Sequence, residues 1–297
     1  HLPSSLLSKN EHVKKGNDVS SSLTLHLGIK TDPIEYRYSF RWLFRLLAEE
    51  GVFRVQLGTF FELYHLPDEY FRELKKTARE FNVVIESVFT AHRELGGFFI
   101  DHPAWIAQAF KNYRRLIEVG ALLGAQRVGS NPGAIVRDCM EVKEQGIRCY
   151  LDHMKQLMRY ARERGVQWLT MEPMSSLAEP PTLPEELRGM VADLMNYHLA
   201  YPKETVPVGY CFDVSHGFVD REGVVRYSNI DLLHVAMPNL VEIHLKNTDS
   251  RFHSTFGFSE QERCKGIVDV PEIVSLLKTN SEKVPVRELT GYLEIPG

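Results

Sequence analysis

Short apolar, strand-like runs alternate with amphipathic helical runs along nearly the whole chain, and this order constrains the fold most. Strands are expected over residues 25–30, 52–57, 83–89, 126–129, 166–171, 208–212, 240–244 and 292–295. Helices are expected over residues 41–50, 67–81, 102–124 and 140–164, from 182 to just before Pro202, over 230–237, and from Asp269 onward. The third helix is the clearest: Ile106, Phe110, Tyr113, Ile117 and Ala121 recur at spacings of three and four, which places them on one face. Gly165 supplies a stop after the fourth. Thr182-Leu-Pro-Glu185 reads as a capping box with proline in the first turn, and Asp269-Val-Pro-Glu272 repeats the pattern.

Strict alternation implies parallel strands joined by right-handed helical crossovers. Eight strands argue for an α/β fold of the closed (β/α)8 barrel type rather than an open sheet. No Gly-x-Gly-x-x-Gly follows the first strand, which argues against dinucleotide binding. Residues 1–23 read as a polar tail and residues 24–297 as a single barrel domain. The sequence given stops shortly after Glu294, so the eighth helix of such a barrel is expected to be missing after Gly297.

The composition, 43% hydrophobic and 25% charged, is that of a folded protein rather than a disordered one. A net charge of −4 gives no general attraction to nucleic acid or anionic lipid, so neither is expected as a partner. No apolar run is long enough to span a membrane. The four cysteines form no Cys-x-x-Cys pair, and Cys211 sits in an apolar strand pattern, as a small core residue would. Polar residues near the N-terminus show no signal-peptide core, and the expectation is a reduced, cytoplasmic protein.

Strands five to eight each end near a residue type that binds metals: Glu172, Asp213, His244 and Glu294. Barrel enzymes place their chemistry at the C-terminal ends of the strands, and consecutive strands are neighbours in space. Taken singly, each carboxylate reads as a helix cap or loop anchor and the histidine as a core group. Together they form a mixed oxygen and nitrogen set that suits one divalent ion: manganese first, or cobalt, magnesium or zinc.

The motifs around these residues resemble the xylose isomerase-like TIM barrel superfamily, and most closely its sugar and sugar-phosphate isomerase and epimerase branch. Glu172-Pro173 is similar to the branch's glutamate ligand after strand five. Asp213-Val-Ser-His216 is similar to its aspartate ligand, followed three residues on by a substrate-contacting histidine. His244-Leu-Lys246 and Glu294 are similar to the two remaining ligand positions. The resemblance implies Glu172, Asp213, His244 and Glu294 as ligands, with Glu172 and Glu294 also serving as acid and base.

The implied activity is a ketose 3-epimerase or aldose-ketose isomerase that passes through a metal-stabilised cis-enediolate of a small sugar or sugar derivative. His216 would then hydrogen-bond a substrate oxygen. Lys246 shares a strand face with His244 and either contacts substrate or pairs with a carboxylate. Arg251, in the loop after strand seven, and His92, after strand three, are further substrate-binding candidates, with loop exposure as the plainer alternative for both. Phe98 and Phe99 read equally as lid residues or as a buried cluster. The resemblance also implies a homo-oligomer, dimer or tetramer.

Three rival readings remain at the sequence level. A dehydratase or lyase of a keto-sugar or inosose would use the same metal and bases. An apurinic endonuclease would need a histidine where Arg251 stands in Asp249-Ser-Arg251, and a basic surface that this chain lacks. An inactive sugar-binding relative would have no use for all four ligand types.

Overall fold

The computed structural model describes residues 23–59, 61–91 and 95–294. Eight parallel strands close into a barrel: β1 (Thr24–Lys30), β2 (Arg54–Thr59), β3 (Val84–Thr90), β4 (Arg127–Ser130), β5 (Trp168–Met171), β6 (Val208–Asp213), β7 (Leu240–Leu245) and β8 (Glu288–Leu293). Each strand pairs with its sequence neighbours, and β8 closes on β1. The connecting helices are α1 (Phe40–Glu49), α2 (Asp68–Glu80), α3 (Pro103–Leu123), α4 (Lys143–Glu163), α5 (Pro184–Ala200), α6 (Asn229–Ala236) and α7 (Val270–Thr279). Among the described residues no helix follows β8, and outward-facing Leu27 on β1 is 51% exposed. No helix among the described residues is long and apolar enough to cross a membrane.

The helix ends follow from local chemistry. Ser39 caps α1 by accepting from the Trp42 N–H, and Asp269 caps α7 by accepting from the Glu272 N–H. His102 caps α3, which ends at Gly124 with φ 79°, a left-handed conformation that glycine adopts without steric cost. The start of α5 differs from the sequence expectation by one residue. Leu183 occupies the cap position, and Glu186 rather than Glu185 reaches back to the N–H groups of Thr182 and Leu183. The Thr182 hydroxyl donates instead to the carbonyls of Ser176 and Glu179, so it anchors the preceding loop.

The main core lies between barrel and helices, where Phe44, Phe71, Leu116, Leu157, Leu194 and Leu232 are buried. The barrel interior is unusually polar for a fold that normally fills it with branched aliphatics. At its N-terminal end Glu86 binds Arg54 at 2.9 Å and Arg127 at 2.6 Å, and accepts from the Thr290 hydroxyl at 3.0 Å. Burial opposes the charge on Glu86, but the two guanidinium groups outweigh it and hold the carboxyl below its usual range. These paired charges plug the bottom of the barrel and leave the opposite mouth for the site.

Beside that mouth the loop after β1 presses Glu35 against Glu62. Burial pushes the Glu35 carboxyl up to about 9; the Thr31 hydroxyl, donating at 2.7 Å, opposes this, and the Glu62 charge adds to it. A folded-state value above the ordinary 4.5 means that folding takes up a proton between those two pH values. Stability is therefore expected to fall as pH rises from the ordinary carboxyl range through about 9. Glu35→Gln should flatten that decline and raise stability at the alkaline end by about 2 kcal/mol. Urea melts across this range check it; parallel pH profiles for both proteins would refute it.

Candidate metal centre

Side chains on a strand alternate between the two faces, so the inward positions near the strand ends converge at the mouth. Asp213 is the last residue of β6, and His244 stands opposite it in register on β7. Glu172 directly follows β5. Glu294 directly follows β8, and its N–H donates to the Leu245 carbonyl at 3.0 Å, which extends the ladder by one residue. Strand β8 starts four residues before the expected Tyr292, so Glu294 sits just past the strand end rather than within it. Each of Glu172, Asp213, His244 and Glu294 offers one ligand atom, and the four atoms lie within 4.8 Å of one another.

The centre is sealed from below and held from the sides. His244 is fully buried; its Nδ1 lies 2.9 Å from Glu172 Oε1 and 3.3 Å from Glu294 Oε2. Phe89 packs edge-on against its ring. Asn131, just after β4, donates its Nδ2 to the other oxygen of Glu172. Asp213 Oδ1 accepts from the Ser215 N–H at 2.8 Å. Asp213 Oδ2 and Glu294 Oε2 are also buried, and both are balanced by ion pairs rather than by backbone donors. Two such carboxylate oxygens, beside a third carboxylate and an imidazole nitrogen, fit a divalent cation.

Two lysines bracket the carboxylates. Lys246 Nζ lies 3.0 Å from Asp213 Oδ2 and 2.7 Å from Glu294 Oε1. Lys30, at the end of β1, lies 3.3 Å from Glu294 Oε2 and 3.1 Å from Asp32. Burial works against all of these charges, and their mutual attraction outweighs it. Glu294 is held well below the carboxylate range by Lys30, Lys246 and His244. Asp213 is held low chiefly by Lys246 and then His216. Both lysines are raised above the ordinary ammonium value, Lys30 chiefly by Glu294 and Lys246 chiefly by Asp213.

The other expected residues divide. Lys246 joins the cluster as a partner of two carboxylates. His216 lies at its edge: Nδ1–H donates to the Pro173 carbonyl at 2.7 Å, while Nε2 is 3.8 Å from Asp213 Oδ2. Phe252 covers the neighbouring Gly217, where an added Cβ would meet its ring at 2.3 Å. Arg251 is exposed, and its guanidinium lies toward Gly223 on the adjacent hairpin rather than in the cluster. His92 lies outside the described residues. Phe98 and Phe99 are buried core residues rather than a lid, because they pack on Tyr150 of α4, with Phe98 also against His153. Cys211 is fully buried, as expected.

Sequence reasoning missed Lys30, Asn131 and Gln56. The first two sit at strand ends, the positions that mark a barrel's mouth, and that signal could have found them. Gln56 lies inside a strand pattern that carries no such mark.

No curated protein matches the chain. A provisionally assigned xylose isomerase from Rhodospirillum rubrum ATCC 11170 superposes with a TM-score of 0.75 at 18% identity, over 92% of this chain and 91% of that one. D-psicose 3-epimerase with D-tagatose from Clostridium cellulolyticum H10 gives 0.69 at 13% identity, over 91% and 85%. The probable 3-DHS dehydratase AsbF from Bacillus anthracis gives 0.65 at 11% identity, over 92% and 93%. At such identities these structures share the fold alone. The family model for the xylose isomerase-like TIM barrel matches residues 44–283, and the chain belongs to that family.

Proposed function

We propose that this protein is a divalent-metal-dependent sugar isomerase or epimerase. The observation that carries the reading is the convergence of Glu172, Asp213, His244 and Glu294 within 4.8 Å, with two of their oxygens buried and balanced only by ion pairs. A divalent ion bound there, with manganese the first choice, supplies Lewis-acid polarisation of a substrate carbonyl. Glu172 and Glu294 approach His244 Nδ1 through Oε1 and Oε2 respectively, so they line a shared space from two strands. One carboxylate takes the proton from the carbon beside the carbonyl, and the other returns it on the second face or the neighbouring carbon. His216 presents Nε2 to a substrate oxygen, because its Nδ1–H is committed to the Pro173 carbonyl. Lys246 and Lys30 hold Glu294 ionised, Lys246 does the same for Asp213, and both offset the negative charge of an enediolate. Arg251, from the loop after β7, would turn inward to contact substrate, and His92 is retained as a substrate-binding candidate from its sequence position. The substrate is a small sugar or sugar derivative, and a homo-oligomer in the cytoplasm is the matching physiological form.

The test is a screen of ketoses and their phosphates with added manganese, with products separated by chromatography and weighed by mass spectrometry. Conversion at constant mass supports the reading. A product lighter by one water would make the protein a dehydratase on the same centre. Absence of both conversion and solvent deuterium exchange across the screen would reject it. For His216→Ala, turnover is expected to fall roughly a hundredfold while metal occupancy stays unchanged. Parallel loss of occupancy would make His216 a ligand instead.

A further inference from the structure

We infer that Gln56 is a positioning residue that decides which nitrogen of His244 faces the metal centre, and that Ser87 holds its direction. The inference rests on the metal-centred reading above. Gln56 is fully buried on β2, and its Oε1 lies 2.7 Å from His244 Nε2. An amide oxygen only accepts, so this contact requires the proton on Nε2 and leaves Nδ1 to face Glu172 and Glu294. A flipped amide would do the opposite. Its NH2 group would donate to Nε2, the ring proton would move to Nδ1, and that proton would occupy the place a cation needs.

The surroundings choose between the two orientations. Gln56 Nε2 lies 3.2 Å from Ser87 Oγ and 3.9 Å from Cys211 Sγ. Ser87 Oγ accepts from that NH2 group, which turns the amide oxygen toward His244. Hydrogen bonds therefore run in one sense through the barrel interior, from His244 to Gln56 to Ser87.

The test combines ion binding with a tautomer measurement in the full-length protein. Manganese affinity is read by competition with a chromophoric chelator. Gln56→Met removes the acceptor and should weaken affinity roughly 10- to 100-fold, the usual effect of losing a partner behind a ligand. Gln56→Glu keeps an acceptor toward Nε2 and should recover most of that loss. Ser87→Ala keeps Gln56 but frees it to flip, and should fall between wild type and Gln56→Met even if the methionine variant folds poorly. In the zinc-loaded wild type, nitrogen NMR should show the His244 proton on Nε2. Equal affinity in all variants, or a proton on Nδ1, overturns the inference while the metal reading stands. A wild-type protein that binds no divalent ion overturns both.

Discussion

Glu294→Gln is expected to lower turnover at least roughly a thousandfold while leaving the barrel folded, and Glu172→Gln is expected to do the same. An amide cannot accept the substrate proton, and it replaces an anionic oxygen ligand with a weaker neutral one. The two variants should nonetheless differ. Glu294 faces two ammonium groups, and a glutamine in its place can offer its oxygen to Lys246 with little rearrangement. Glu172 lies between the Asn131 amide and His244 Nδ1. A glutamine there must turn its oxygen to Asn131, and its NH2 group then meets the ring. Glu172→Gln should therefore lose more metal affinity than Glu294→Gln.

Deuterium exchange separates the chemical roles from the binding roles. If each carboxylate serves one face of the substrate carbon, each variant at saturating manganese retains exchange from only one epimer, and the two variants retain opposite ones. Substantial epimerisation by either variant would remove the two-carboxylate mechanism. Identical exchange patterns in both would show that one base serves both faces.

The fold was legible because its signals are local. Each apolar run and each helical face lies within one element, so Ile117 or Met158 could be placed without knowing its partners. The four ligand-type residues were legible for a related reason: the end of a strand is a local feature, and barrel geometry converts successive strand ends into neighbours. Strand β8 was read too short because Glu288 and Thr290 are polar and pair with Arg54 and Glu86, and so break the expected apolar pattern. Phe98 and Phe99 were ambiguous because glycine-flanked aromatics look alike in a lid and in a core. Gln56 was invisible because its role depends on His244, 188 positions away, meeting it across the barrel. No spacing rule encodes contacts across the axis.

The second large effect concerns the charge balance of the centre. Lys246→Met is expected to destabilise the metal-free protein by about 3 kcal/mol, the usual order for leaving a buried charge without its partner. Asp213 is completely buried, and its Oδ2 has Lys246 at 3.0 Å as its ion-pair partner. Without that ammonium group, Asp213 and Glu294 would face each other with only Lys30 and the histidines to offset them. A drop of roughly 6 °C in melting temperature is expected at neutral pH, given the size of the chain. Saturating manganese should recover most of the loss, because a divalent cation among the same oxygens replaces the missing charge, and ligand binding adds stability by mass action. The variant should gain more from manganese than the wild type does. A melting deficit that is the same with and without the ion would show that Lys246 acts through packing alone, and that lysine and metal do not serve the same carboxylates.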